Sequence, residues 1–202
     1  MPRTSRLRTL TPQTVYHVLA RGNNRQSVFH APFDYDTYLR LLKKLLAEIP
    51  GTSCYHYCLM PNHLHLLLYA EDPKALVTIL QRLQLTYAWY HRRTYKTSGH
   101  LWQGRYKSLP VADDPYLLEA GRYIERNPLE AKLTDKLETY PWSSYRATAL
   151  GQPDPLAIPS PAYLSLGTTP QQRQAAWQQY VAQPRLYRVP STDQLATAFQ
   201  GG

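Results

Sequence analysis

Apolar positions along this chain follow two different rhythms. "QTVYHVLARGN" alternates and is rich in β-forming residues, so it predicts a strand over Val15–Ala20 running into the polar loop "RGNNRQ". In "YDTYLRLLKKLLAEI" the period lengthens: Tyr38, Leu41, Leu42, Leu45 and Ile49 share one helical face, with Asp34 or Asp36 placed to cap it. "TSCYHYCLM" and "HLHLLLYAE" then read as two strands joined at Pro61 and Asn62, residues suited to a hairpin turn. A second long helix follows in "PKALVTILQRLQLTYAWYHRRT", where Leu76, Ile79, Leu80, Leu83, Tyr87 and Tyr90 form the apolar stripe. "SGHLWQGRYKSLPVA" predicts a fourth strand bent at Gly104, and "DDPYLLEAGRYIERNP" a helix with capping aspartates, Pro115 near its start and Pro128 as its terminator.

The order β-α-β-β-α-β followed by one more helix predicts an α+β fold, the ferredoxin-like split βαβ arrangement, with an antiparallel sheet and both long helices on one face. Beyond about Tyr140 prolines become frequent, and only "TPQQRQAAWQQYVAQ" and "STDQLATAF" have helical character. The expected division is therefore one domain over residues 1–150 and a Pro-rich, partly helical, looser extension over 151–202. No internal repeat is present.

Composition narrows the partner. The 202 residues are 43% hydrophobic and 12% aromatic, enough to bury the core of one domain plus an extension. Lys and Arg number 23 against 14 Asp and Glu, a net charge of +9 that suits a phosphate-rich partner, either nucleic acid or an anionic membrane. No apolar run approaches the roughly 20 residues that span a bilayer, and "MPRTSRLRTL" leads into no signal-peptide core, so nucleic acid is the expected partner. Cys54 and Cys58 lack CxxC spacing, share one strand face by parity, and fit a reduced cytoplasmic protein.

Two histidines stand out within the apolar run "CLMPNHLHLLLYAE". His63 and His65 are two apart on a strand and so project side by side. HxHxH and HxHxDH arrays are excluded by Leu67 and Leu68, and HxxxH spacing is absent here. On spacing alone, a pair satisfied by neighbouring carbonyls is the commoner outcome. Downstream, Tyr123 and Asn127 are four apart on one helical face, and termination at Pro128 would leave the Asn127 amide oxygen free to turn toward a metal. Two imidazoles and a hard oxygen suit Mg²⁺ or Mn²⁺. Tyr116 competes with Tyr123 from a neighbouring face, whereas Glu119 and Glu125 read as ordinary solvated helix charges.

Nucleic-acid contacts have several candidates. Arg21, Asn23, Asn24 and Arg25 occupy a Gly-containing loop and carry side chains able to pair with guanine and adenine edges. Arg82, Arg92, Arg93 and Lys96 are interleaved with Trp89, Tyr90 and Tyr95, a mixture suited to phosphates and unpaired bases. Trp102, Arg105, Tyr106 and Lys107 repeat it on the fourth strand, where Trp102 reads equally well as core. Arg3, Arg6 and Arg8 form a basic arm.

With these residues in view, "MPNHLHLLL" resembles the HUH motif and "RYIERNPLEAKL" resembles the tyrosine helix of REP-associated tyrosine transposases, relatives of the single-tyrosine insertion-sequence transposases. "ARGNNRQSVF", "GHLWQGRYKS" and "YPWSSYRA" resemble further stretches of that family, so the likeness runs from about Val15 to Gly151. The resemblance implies that His63 and His65 ligate a divalent metal, that Asn127 stands where insertion-sequence relatives use glutamine, and that Tyr123 is the nucleophile. It further implies cleavage and rejoining of single-stranded DNA at REP-type hairpins through a 5′-phosphotyrosine, in a cytoplasmic, nucleoid-associated prokaryotic protein, and a monomer in preference to a helix-exchanging dimer. Two other functions stay open: a non-catalytic binder of hairpin or single-stranded DNA, and a relaxase-like nickase.

Overall fold

A computed structural model describes residues 10–183. Its elements follow in the order β1 (Thr14–Arg21), α1 (Pro32–Glu48), β2 (Thr52–Met60), β3 (His63–Ala70), α2 (Pro73–Tyr95), β4 (Lys107–Pro110), α3 (Asp114–Glu130), α4 (Tyr145–Leu150), α5 (Pro161–Leu164) and α6 (Pro170–Ala182). The four strands form one antiparallel sheet in the order β2-β3-β1-β4, which is the ferredoxin-like topology. The basic arm at Arg3, Arg6 and Arg8 and the segment "STDQLATAF" lie outside the described residues.

Both faces of the sheet are covered, which explains the nearly continuous apolar run of β3. Leu64, Leu66 and Leu68 face α1 and α2, joining Tyr16 and Val18 of β1 and the helical residues Tyr38, Leu42, Ile79 and Leu83 in the main core. The alternate face meets α3: Leu67 of β3 packs with Leu117, Ala120, Tyr123 and Ile124. A third cluster unites Leu137, Tyr145, Ala149, Tyr163, Trp177 and Val181. The described part of the extension, through α6, is thus folded against α3 through Trp177, which is fully buried, where its prolines suggest a looser appendage.

Four local expectations are corrected. Cys54 and Cys58 do not share a face, because the register of β2 against β3 slips between Cys54 and His56, a bulge that inserts Tyr55. Cys54 consequently lies in the α1/α2 core and Cys58 in the α3 core. Ala31, and neither aspartate, occupies the N-cap position of α1; Asp34 serves that end from the third helical position, accepting from the His30 and Ala31 amides and from the hydroxyls of Tyr90 and Tyr95, and Asp36 takes no part. The fourth strand shortens to Lys107–Pro110, since Gly104 at φ 70° turns the chain and Leu101, Trp102 and Tyr106 enter the core.

Pro128, lastly, does not end α3, which continues to Glu130. A proline lacks the amide that would bond the carbonyl four residues earlier. Here the Asn127 side chain supplies the donor, its Nδ2 lying 3.4 Å from the Ile124 oxygen and 2.8 Å from that of Tyr123.

Candidate active site

Directly opposed residues of an antiparallel pair project to one face, so register places the candidates. Opposite His65 on β1 is Leu19, and opposite His63 is Arg21; Lys107 of β4 pairs with Leu19 in turn. Counting by two, His17, Arg21, His63, His65 and Lys107 all share the α3 face of the sheet. Tyr123 descends on them from α3, its ring centroid 5.5 Å from that of His65 and 6.0 Å from that of His17, both edge to face.

The two motif histidines are held in fixed orientations. His63 Nδ1 lies 2.7 Å from Asn62 Oδ1, and the Asn62 amide is oriented because its Nδ2 donates to the Arg25 carbonyl at 3.2 Å. A carbonyl oxygen only accepts, so His63 carries its proton on Nδ1 and presents Nε2 as the lone-pair nitrogen. His65 Nδ1 is bonded to His17 Nε2 at 2.8 Å, both rings being essentially inaccessible to solvent. Burial pushes the His17 pKa down to about 4, and burial together with His17, His63 and Arg21 holds His65 well below the usual histidine range. Both are therefore neutral near pH 7, the form that can ligate a metal.

The ring centroids of His63 and His65 are 5.2 Å apart at 88°. Imidazoles sharing one ion through nitrogens about 2 Å from it put their centroids roughly 5 Å apart, so the pair has the right span for a common metal. Asn127 is on the same helix one turn from Tyr123 and is mostly buried; with Nδ2 spent on the backbone, Oδ1 is its available ligand atom. The oxygen is available inside a continuous helix rather than at a terminated end. Among the described residues no cluster of three or more His, Cys, Asp and Glu side chains is disposed to hold a metal.

Other candidates are distributed. Asn23, Asn24 and Arg25 form a 3-10 turn, Asn24 and Arg25 both with positive φ. That turn is tied to the β2–β3 hairpin by Gly22 N to Asn62 O and Val28 N to Pro61 O, both 2.8 Å, and hence sits beside His63. Arg105 is exposed on the turn leading into β4. Arg82, Arg92 and Arg93 instead lie on α2, across the sheet from the histidines. Arg82 pairs with Glu48 at 3.0 Å, and Arg93 stacks over the exposed Trp89. Trp102 is a core residue, its indole nitrogen donating to the Gln84 carbonyl, and so is not placed to stack on a base.

Glu119 and Glu125 are not solvated; both are completely buried. Glu125 accepts from His56 Nδ1, Ser144, Thr148 and Trp177 Nε1 at 2.7–3.0 Å, joining the tyrosine helix to β2, α4 and α6. Glu119 accepts from Arg122 at 2.8 Å and from the Tyr180 hydroxyl at 3.0 Å, while Arg122 also donates to the carbonyls of Tyr180 and Gln183. The helix carrying Tyr123 is therefore clasped by the C-terminal segment of its own chain. Sequence reasoning had no signal for this clasp, and it passed over His17, whose only cue was its alternation with the apolar residues of β1.

A family model described as "Transposase IS200 like" matches residues 11–127, the stretch that holds the sheet, the histidines and the tyrosine helix through Asn127. The chain belongs to the IS200-like transposase family. It is thereby a member of the HUH tyrosine-transposase superfamily.

Among solved structures, this family member is similar to one described as "Structure of the REP associates tyrosine transposase bound to a REP hairpin". The TM-score is 0.59 at 12% identity over 74% of this chain and 88% of that one, a likeness of fold. A crystal structure described as a transposase of Deinococcus radiodurans R1 aligns at 20% identity over 62% of this chain and 97% of that one, with a TM-score of 0.42. No curated protein matches the chain significantly.

Proposed function

We propose that this transposase is a metal-dependent DNA strand transferase that cleaves and rejoins single-stranded DNA at REP-type hairpins, with Tyr123 as nucleophile. The observation that carries the reading is the packing of the Tyr123 ring 5.5 Å from His65, over the same sheet face as His63. The hairpin as substrate is supported by the REP hairpin held by the similarly folded relative.

His63 and His65, through Nε2, and Asn127, through Oδ1, would hold Mg²⁺ or Mn²⁺. Bound there, the ion would act as a Lewis acid toward the scissile phosphodiester. With a metal on His65 Nε2, the His65 proton would sit on Nδ1 and His17 Nε2 would accept it, His17 carrying its own proton on Nδ1, as the outer partner of a ligand histidine commonly does. Arg21 and Lys107 supply positive charge on the same face for the strand's phosphates. Because Tyr123 is only 4% accessible, the strand reaches it as its neighbours part or its ring turns. The phenolic oxygen then bonds to phosphorus as the P–O3′ bond breaks, the departing oxygen taking the electron pair and a proton. Phosphodiester energy is kept in the 5′-phosphotyrosine, so the 3′-hydroxyl can reverse the step without ATP.

The buried contacts between α3 and α6 support a self-contained monomer over exchange of the tyrosine helix, since exchange would tear Glu119, Arg122 and Glu125 from their partners.

The test is denaturing electrophoresis of the protein with labelled hairpin single strands and Mn²⁺. A covalent adduct is expected, abolished by EDTA and by Tyr123→Phe while binding persists. An adduct that survives Tyr123→Phe excludes that residue, and binding without any adduct would leave a non-catalytic hairpin binder. Equal cutting of linear duplex would count against a hairpin substrate.

A further inference from the structure

A cavity of about 470 Å³ opens on the other face of the sheet from the histidines. Its walls come from α1, the buried Tyr57 of β2, the segment around α4 and the proline-rich stretch that follows Gly151. Volumes of roughly 300–1,000 Å³ are typical of small-ligand sites. We propose that this cavity is a nucleotide-binding site, with Arg40, Lys43 and Arg146 holding the phosphate and Leu39 and Leu156 bedding the base.

Three cations from two remote parts of the chain converge here. Arg40 and Lys43 are one turn apart on α1, whereas Arg146 arrives from α4. Like charges gathered in a concavity repel one another unless an anion is present, and no carboxylate of the described residues forms an ion pair with any of them. Asp154 also lines the cavity and offsets one of the three positive charges; its oxygens are held by neutral donors, Oδ2 accepting from the Tyr57 hydroxyl at 2.8 Å and Oδ1 from the Leu156 and Ala157 amides, so the lining keeps a net positive charge. The Arg146 Nε is spent on the Glu138 carbonyl at 2.7 Å, which orients the guanidinium and leaves its outer nitrogens for a ligand.

Charge calls for a phosphate, and the apolar floor calls for something more than a phosphate. A nucleotide supplies both, either as a free mononucleotide or as one unit of a nucleic-acid strand. In the second case the inference rests on the proposed function and extends its DNA path around the β2 edge, away from Tyr123.

The experiment compares three full-length proteins: the natural chain, the triple variant Arg40→Gln/Lys43→Gln/Arg146→Gln, and Ala147→Trp, which fills the cavity and keeps its charges. Each is titrated with dAMP by calorimetry and with a labelled hairpin single strand by anisotropy without divalent metal; melting curves verify folding. Both variants should weaken the strand by about tenfold or more, and the triple variant should lower the salt slope by about 0.7, the three cations sharing one phosphate of a single strand. Loss of dAMP binding in both variants would identify a free nucleotide as ligand; loss of strand affinity alone would identify the strand. The proposal is overturned if neither probe responds, or if the charge variant responds and Ala147→Trp does not. Since binding is read without cleavage, a missing Tyr123 adduct would sink the strand-transfer chemistry and leave this site standing.

Discussion

His17 Nε2 and His65 Nδ1 meet at 2.8 Å in the buried space beneath Tyr123. A neutral imidazole has one donor and one acceptor nitrogen, so this single bond determines which nitrogen of His65 can face a metal. His17→Phe should therefore preserve the fold while reducing Mn²⁺ affinity by about 10- to 100-fold. Titration of the Mn²⁺ electron paramagnetic signal would measure it; undiminished affinity would show that His17 only fills space.

The buried carboxylate of Glu125 gathers donors from four side chains. Glu125→Ala should cost about 3–5 kcal/mol, because those donors are left in a dry interior. Trp177→Phe removes one donor and the pyrrole part of a fully buried indole while keeping an aromatic ring, for an expected loss of about 2–3 kcal/mol. Urea unfolding of both variants would check the order.

Gly121 faces the His56 ring, and a methyl group there would come within 2.7 Å of His56 Nε2. That ring is immobilised by Glu125 on one side and Trp177 stacked at 5.2 Å on the other. Gly121→Ala should accordingly lose about 1–3 kcal/mol despite its better helix propensity. Stability unchanged or raised in thermal melts would show that His56 can yield.

Asp34 joins α1 to α2. Burial tends to raise its pKa, but the hydrogen bonds from Tyr90, Tyr95, His30 and Ala31 outweigh that and hold it below the ordinary value of 3.8. The stabilisation is complete above pH 3.8 and is lost as pH falls through the lowered value in the folded state. Asp34→Asn should flatten the acid limb of the stability profile below pH 4 and also reduce stability at neutral pH, as followed by circular dichroism.

Much was written in local pattern. Alternation and helical spacing decided the strand and helix order, and hence the ferredoxin-like topology, because a chain with those apolar faces has few ways to cover them. Parity put His63 and His65 on one face, and the i, i+4 relation put Tyr123 above Asn127. Where a local rule met a tertiary partner, the partner won. The β2 bulge reversed the parity that should have aligned Cys54 with Cys58, and the Asn127 amide carried α3 past Pro128.

The sequence by itself determined the family and the fold, because those depend on residue type and short spacing. Only the tertiary structure decided that His17 stands behind His65, that Glu119 and Glu125 are buried, and that the C-terminal segment clasps the tyrosine helix. The physical reason is the same in each case. A charged or polar side chain can be buried only where distant groups satisfy it, and contacts between residues as far apart as His17 and His65, or Glu125 and Trp177, exist only once the sheet and helices have packed.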